Sequence, residues 1–327
     1  MEILKRHVTA RLNQKKDKGK TIMKINIKKL TGFTLLMLLA LNLSACFSQS
    51  SRQDTPVYNK PVPYFTDGNK QKLPDIYTFN IQAPQIKAAS RRIWVYLPPD
   101  YDKSGRHYPV LYMHDGQNLF DEKTSFSGQW EAGISVDRLV KEGKTHGAII
   151  VGIDNGEEKR ESEYAPWKGC STQDPHGAAY ADFIVHSLKP VIDATYRTYP
   201  DREHTAVGGS SSGGNISLYI VEKYPEIFGK AALFSPALWC QQAENRAFLD
   251  NADMKQGMRI YMDVGTNEGE GNEPADYLRE AKHINSVLSR KEGVTVKFII
   301  DEGGKHHEKY WAKRFPAAFL WLFEGLH

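Results

Sequence analysis

The 327-residue sequence predicts an α/β fold, a mostly parallel central sheet with helices on both faces. Three observations predict it. Apolar runs of three to six residues, too short for helices, recur through residues 74–327. Longer amphipathic stretches separate them, and a glycine-rich turn links the fifth run to the next helical stretch. Continuous apolar strands must be covered on both faces, which interleaved helices provide.

In chain order, Lys24, Lys28 and Lys29 precede an apolar run over residues 33–41, followed by Leu43-Ser44-Ala45-Cys46. A basic segment before an apolar stretch shorter than the roughly 20 residues of a spanning helix is the pattern of a secretory signal. Leu-Ser-Ala-Cys resembles a bacterial lipobox, so residues 1–45 are expected to be a signal peptide and Cys46 the lipidated first residue of an exported lipoprotein. Its expected place is the outer membrane, facing periplasm or cell surface. Residues 1–22 form a long basic lead, and the sequence leaves Met1 and Met23 both open as the start. Residues 1–45 hold ten Lys and Arg against two acids, so the net +4 of the whole chain becomes −4 for the remainder. The basic balance belongs to the leader. Beyond it, cations and acids are interspersed, which argues against a nucleic-acid partner.

Residues 46–73 are polar and carry Pro56, Pro61 and Pro63, as expected of a lipidated anchor and flexible tether. Residues 74–327 are then one α/β domain. The strand-like runs are residues 76–81 and 92–97, expected at the sheet edge, then the buried runs 110–113, 148–153 and 205–207. Runs 231–234, 260–264 and 296–300 follow. Helical patterns cover residues 180–196, 215–223, 277–290 and 308–323. Of three cysteines, Cys46 is assigned to lipid. Cys170 and Cys240 remain, and the sequence leaves a disulfide and two free thiols both open.

The turn Gly208-Gly209-Ser210-Ser211-Ser212-Gly213-Gly214 contains Gly-x-Ser-x-Gly between a strand and a helix, the setting of a nucleophile elbow. Glycine spacing selects Ser211: centring on Ser210 or Ser212 would need glycine where serine stands. Ligands of such sheets bind beyond the strands' carboxyl ends, so the partners of Ser211 are sought there. Glu268 follows the run ending at Val264 and is the expected acid; Asp263 is its rival, inside the strand. His306 and His307 follow the last run and are nearly equivalent as the general base. The order Ser211, acid, histidine is that of the α/β-hydrolase fold. Two backbone N–H groups should cradle the oxyanion, that of Ser212 and that of Gln117, with Gly116 making the tight turn before it. His114 reads as a strand-end residue held by hydrogen bonds. Trp130, Trp167 and Trp239 are candidates to stack on a sugar or aromatic acyl group, although tryptophan serves more often in packing. Trp167 and Trp239 are the expected substrate contacts. No cofactor is called for, and no His-Glu-x-x-His spacing suggests a metal.

Residues 92–99, Tyr108-Pro109-Val110-Leu111-Tyr112-Met113-His114-Asp115-Gly116-Gln117-Asn118, Glu163-Tyr164-Ala165-Pro166-Trp167 and Ser235-Pro236-Ala237-Leu238-Trp239 resemble the esterase family of α/β-hydrolases. That family includes enterochelin-esterase-like, esterase-D-like (S-formylglutathione-hydrolase-like) and feruloyl or acetyl-xylan-esterase-like proteins. The resemblance extends over nearly all of residues 74–327. It implies His306 as base, from Gly304-Lys305-His306-His307-Glu308, and Glu268 as acid, from Gly265-Thr266-Asn267-Glu268. Ser212 is smaller than is common at its position in the family, and His307 is larger. The implied reaction is hydrolysis of a carboxylic ester through an acyl-serine. Export argues against cytosolic S-formylglutathione and leaves siderophore esters, esterified or feruloylated polysaccharides and small acyl esters as substrates. An acyltransferase would use the same triad, and a catalytically silent surface-binding lipoprotein would need a broken one.

Overall fold

Along each central strand, successive apolar side chains leave the sheet on opposite sides, so both faces are oily and both need a cover. Val110 and Tyr112 join one buried cluster, Leu111 and Met113 the other. The computed structural model describes residues 56–65, 75–169, 171–269 and 273–326. The expected signal peptide, Cys46, most of the expected tether, and Cys170 lie outside the described residues. Cys240 is disulfide-bonded.

The strands are β1 (Val62–Pro63), β2 (Ile76–Ala83), β3 (Ala88–Tyr96), β4 (Val110–His114), β5 (Ile149–Ile153), β6 (Thr205–Ser210), β7 (Lys230–Phe234), β8 (Met258–Asn267) and β9 (Val294–Lys305). Among the described residues they form one nine-stranded sheet in the order β1-β2-β3-β5-β4-β6-β7-β8-β9. The first pairings, β1·β2, β2·β3 and β3·β5, are antiparallel; from β5 to β9 every neighbour is parallel. The helices are α1 (Tyr101–Ser104), α2 (Ala132–Lys141), α3 (Arg160–Glu163), α4 (Gly177–Phe183), α5 (Lys189–Thr195), α6 (Ser212–Lys223), α7 (Gln242–Asn251), α8 (Glu273–Leu288) and α9 (Glu308–Leu322).

Helix spacing explains which face each one covers. In α9, Trp311, Phe315, Phe319 and Leu322 recur at intervals of three and four and join Leu111 and Met113, together with Val136 and Leu139 of α2. On the opposite face, Ile216 and Ile220 of α6, Tyr277, Ile284 and Leu288 of α8, and Phe183 and Ile192 join Tyr112 and Val207. The helical stretch expected over 180–196 is present, with a π turn at Ile184–Leu188 just before Pro190, where the missing N–H makes a regular ladder impossible.

Two expectations are corrected. Residues 92–97 are not at the edge: β3 lies between β2 and β5. Nor are residues 76–81, since β2 lies between β1 and β3; among the described residues the edge strands are β9 and β1, the latter in the stretch expected to be tether. Val62 pairs with Thr78, and a bridge joins Tyr58 to Ile81. Residues 56–65 therefore belong to the folded unit.

Tyr64 fastens this segment. Its ring meets Trp94 edge-on at 4.7 Å between centroids, and its hydroxyl donates to Asp121 Oδ2 at 2.8 Å. Tyr64→Ala is expected to lower stability by about 1–3 kcal/mol, from the lost aromatic pair and hydrogen bond. Urea unfolding would show a lower midpoint; an unchanged midpoint would mean that the segment adds nothing to the fold.

Candidate active site

The sheet's carboxyl edge collects the candidate residues from separate strand ends. At the end of β6 the chain turns sharply into α6, and the turn residue is Ser211, with φ 58° and ψ −126°. Its N–H donates to Phe234 O at 3.0 Å, and its carbonyl accepts from Gly214 N at 2.9 Å and Asn215 N at 3.2 Å. Strand, helix and the loop after β7 meet too closely for side chains: a Cβ on Gly209 would lie 3.1 Å from Gly213 C, and one on Gly214 2.8 Å from Pro236 Cβ. Ser210 ends the strand, buried. Ser212 begins the helix and donates its hydroxyl to Glu161 Oε2 at 2.7 Å.

A bulge between β8 and β9 brings the next two candidates together. Gly265 pairs with Asp301 but Asn267 with Lys305, so β9 spends four residues where β8 spends two. The fold-back is tight, since a Cβ on Gly265 would sit 2.3 Å from Gly304 O. Directly beyond the bulge, His306 Nδ1 meets Glu268 Oε2 at 2.6 Å. Glu268 is fully buried, and its other oxygen accepts from Ser235 Oγ at 2.6 Å and Gly265 N at 2.5 Å. Burial works to raise the Glu268 pKa, but the hydrogen bonds from His306, Ser235 and Gly265 outweigh it and hold the carboxyl below its usual range. The His306 ring lies between Tyr277 and Trp311, with both centroids 5.0 Å away. His307 has different work: it is the N-cap of α9, its Nδ1 accepting from Lys309 N at 3.1 Å. Asp263 is buried in the sheet 3.0 Å from Arg314 Nε, and burial pushes its carboxyl up to about 7 against the lowering effect of that guanidinium.

Ser211 and His306 line one cleft of about 910 Å³, together with Gln117, Phe126, Arg160 and Glu308. No hydrogen bond joins Ser211 Oγ to His306 among the described residues; such contacts tighten when substrate fills a site. The N–H of Ser212 stands at the first position of α6, where a helix has no acceptor of its own to offer. The loop carrying Gln117 departs from expectation in one respect. Its left-handed turn falls on Asp115 (φ 55°), not on Gly116. Gly116 is needed for contact instead: a Cβ there would lie 2.7 Å from Gly152 C and Ile153 N. Asp115 is clamped by Arg160, Nε to Oδ1 at 2.7 Å and Nη2 to Oδ2 at 2.9 Å, and Oδ1 also accepts from Asn155 at 2.7 Å. His114 lies under the elbow with Nδ1 2.9 Å from Tyr180 Oη, and burial lowers its pKa to about 3, so it is neutral.

Trp167 and Trp239 do not line this cleft. Trp167 packs edge-on against Tyr219 and Phe248, and Trp239 against Tyr277, while Trp130 is buried against Trp311. The cleft's aromatic groups are Trp311 and the exposed Phe126. Phe126 is held in place through its N–H to Asn118 Oδ1 at 3.0 Å; Asn118 and Ser127 in turn donate to the two oxygens of Glu308. Ser235, Arg160, Phe126 and Glu308 were not expected at the site from the sequence; Ser235 and Glu308 lie within the Ser235-Pro236-Ala237-Leu238-Trp239 and Gly304-Lys305-His306-His307-Glu308 runs, the one signal they carry. Among the described residues no three His, Cys, Asp or Glu side chains gather as metal ligands.

A family model described as "Putative esterase" matches residues 86–322. An uncharacterised Bacillus subtilis protein, YbbA, is 29% identical over 249 residues, covering 72% of this chain and 94% of its own length. The iron(III) salmochelin esterase of Escherichia coli is 27% identical over 199 residues, 56% of this chain and 44% of that protein. Among solved structures, an IroE-like serine hydrolase from Shewanella oneidensis superposes with a TM-score of 0.60 at 21% identity, over 75% of this chain and 80% of that one. The shared fold is that of the α/β-hydrolases.

The Asp115–Arg160 pair gives a pH-dependent test. Burial raises the Asp115 pKa, but the Arg160 guanidinium more than reverses this, so the carboxyl titrates below its usual value. A depressed folded-state pKa contributes stability above the unfolded value that is lost as pH falls through the folded one. Arg160→Met is expected to cost about 3 kcal/mol, because it leaves a buried carboxylate unpaired. The cost should be larger at pH 8 than at pH 5, where the orphaned Asp115 takes up a proton. Denaturant unfolding at both pH values measures it, and equal losses would contradict the assignment.

Proposed function

We propose, from the premise that the chain belongs to the "Putative esterase" family and is a carboxylic-ester hydrolase, that it works through Ser211, His306 and Glu268 by way of an acyl-enzyme. The observation carrying this reading is the 2.6 Å contact from His306 Nδ1 to a buried, ionised Glu268, beside a cleft that also holds Ser211. With Nδ1–H committed to Glu268, Nε2 carries the lone pair and is the base. It takes the Ser211 proton as Oγ attacks the ester carbonyl carbon. Negative charge then gathers on the carbonyl oxygen, and the N–H groups of Ser212 and Gln117 are the proposed donors to it. The C–O bond breaks as His306 returns the proton to the departing alcohol. Water, deprotonated by the same nitrogen, attacks the acyl-serine, and the acid leaves with Ser211 restored. Glu268 stays ionised throughout and steadies the imidazolium.

The substrate class rests on the relatives and the cleft. One relative is an iron(III) salmochelin esterase, which supports a siderophore ester. The family resemblance equally admits an acylated or feruloylated polysaccharide. Arg92, Asn155, Arg160 and Glu161 stand on the cleft wall, and these charged and amide groups suit an ester that carries hydroxyl or charged groups of its own. Export on a lipid at Cys46 is part of the proposal and rests on the Leu-Ser-Ala-Cys pattern alone. No helix among the described residues is long and apolar enough to cross a membrane.

The purified protein should hydrolyse a short-chain aryl ester, and Ser211→Ala or His306→Ala should each lower kcat at least about 10⁴-fold; Ser211→Ala should leave the unfolding midpoint within error, whereas His306→Ala, which takes a donor from the buried Glu268, should lower it. Initial rates and a thermal melt decide it. Turnover by Ser211→Ala at the wild-type rate would refute the nucleophile.

A further inference from the structure

Behind the candidate acid lies a buried polar cluster centred on Ser235. This residue follows β7 with φ 42°, fully buried, and its N–H points at Asp263, 3.0 Å from O and 3.1 Å from Oδ1. Three groups surround its hydroxyl: Trp311 Nε1 at 2.9 Å, Arg314 Nη2 at 3.0 Å and Glu268 Oε1 at 2.6 Å. Indole and guanidinium can only donate, so they occupy the two lone pairs of Oγ. The single hydroxyl proton then has one acceptor, Glu268 Oε1.

We propose that Ser235 is a positioning residue for the reaction, its hydroxyl fixing the rotation of the Glu268 carboxylate and tying it to the Arg314 guanidinium so that Oε2 stays aimed at His306. This rests on the reading of Glu268 and His306 given above and adds to it. The bond is set from both sides. Gly265 N–H shares Oε1 with Ser235, leaving Oε2 for the imidazole. The charged groups around Glu268 are His306, Arg314 and the acids Asp263 and Asp301, of which both acids contact Arg314; Tyr277 and Trp311 flank the imidazole. Arg314 Nη1 donates to Asp301 and Nη2 to Ser235, while Asp263 Oδ2 lies at ion-pair distance, 3.0 Å, from Nε without a hydrogen bond. A left-handed backbone at a non-glycine residue costs free energy, and here it aims Oγ at the carboxylate.

The test compares wild type with Ser235→Ala, Ser235→Gly and Ser235→Thr on a soluble aryl ester, with active enzyme counted by its acyl burst and Ser211→Ala as the control. Glycine relaxes the backbone at φ 42°, so Ser235→Gly removes the hydroxyl without the conformational penalty. For the Ala and Gly variants, kcat per active site should fall roughly ten- to a hundredfold, the worth of a hydrogen bond to a charged group, with KM little changed. The low-pH edge of kcat/KM should move to higher pH, since Glu268 without that proton donor protonates more readily. Ser235→Thr keeps the hydroxyl and should keep the wild-type edge. Wild-type kcat and pH edge in the Ala and Gly variants, or a loss explained wholly by fewer folded molecules, would overturn the role of Ser235. An active Ser211→Ala would instead overturn the underlying triad.

Discussion

A serine held at φ 58° and ψ −126° is a costly thing to build, on the order of 1–3 kcal/mol for a non-glycine residue in so sparsely populated a region. The surroundings hold it there. Its N–H is taken by Phe234 of the neighbouring strand, and its carbonyl is shared by the first turn of α6 and by Ala237 N at 3.2 Å. Small residues let strand, helix and the loop after β7 crowd together beneath it. The result is an Oγ lifted beyond the sheet edge beside the N-terminus of a helix. The other candidate groups make sense only relative to that point, because each arrives from the carboxyl end of a different parallel strand.

Charge is arranged around this point in compensated units. Glu268 is buried but receives three hydrogen bonds; Asp115 is buried but gripped by both arms of Arg160. Arg314 is shared between Asp263 and Asp301. An isolated buried charge would be costly, whereas Glu268 and Asp115, each accepting several hydrogen bonds, are held below the usual carboxylate range; Asp263, where burial dominates, is pushed up to about 7 instead. The neutral His114 shows the alternative: an imidazole under the elbow without a carboxylate partner is held uncharged by burial.

Much of this was legible in the residues. Apolar runs and helical spacing located β2 to β9 and the four longest helical stretches, because central strands buried on both faces leave an unmistakable signature. Ser211 followed from glycine spacing, and Glu268 from its place after a strand. β1 was not legible, since its pairing comes from Thr78 and Tyr77 across the sheet and its own two residues carry no pattern. Helices α2 and α7 are short, and their apolar stripes are brief. His306 and His307 were nearly equivalent as residues. What separates them in space is the β8–β9 bulge, which delivers one ring to Glu268 while its neighbour caps α9. Tryptophans could not be sorted from composition, and Trp167 and Trp239 pack against other aromatic rings without lining the cleft. Arg160 left no signal in the sequence and Ser235 only its place in the Ser235-Pro236-Ala237-Leu238-Trp239 run, because what matters is contacts across 45 and 33 residues of chain.

The claim at the centre of this account is that Ser211 is the activated nucleophile. Treating the protein with a fluorophosphonate, which forms a stable phosphonyl ester only with an activated serine, and mapping the adduct by peptide mass spectrometry tests it directly. One adduct per chain is expected, on Ser211, and none on His306→Ala under the same exposure. An adduct on Ser210 or Ser212 instead, or none on a preparation that still hydrolyses esters, would contradict it.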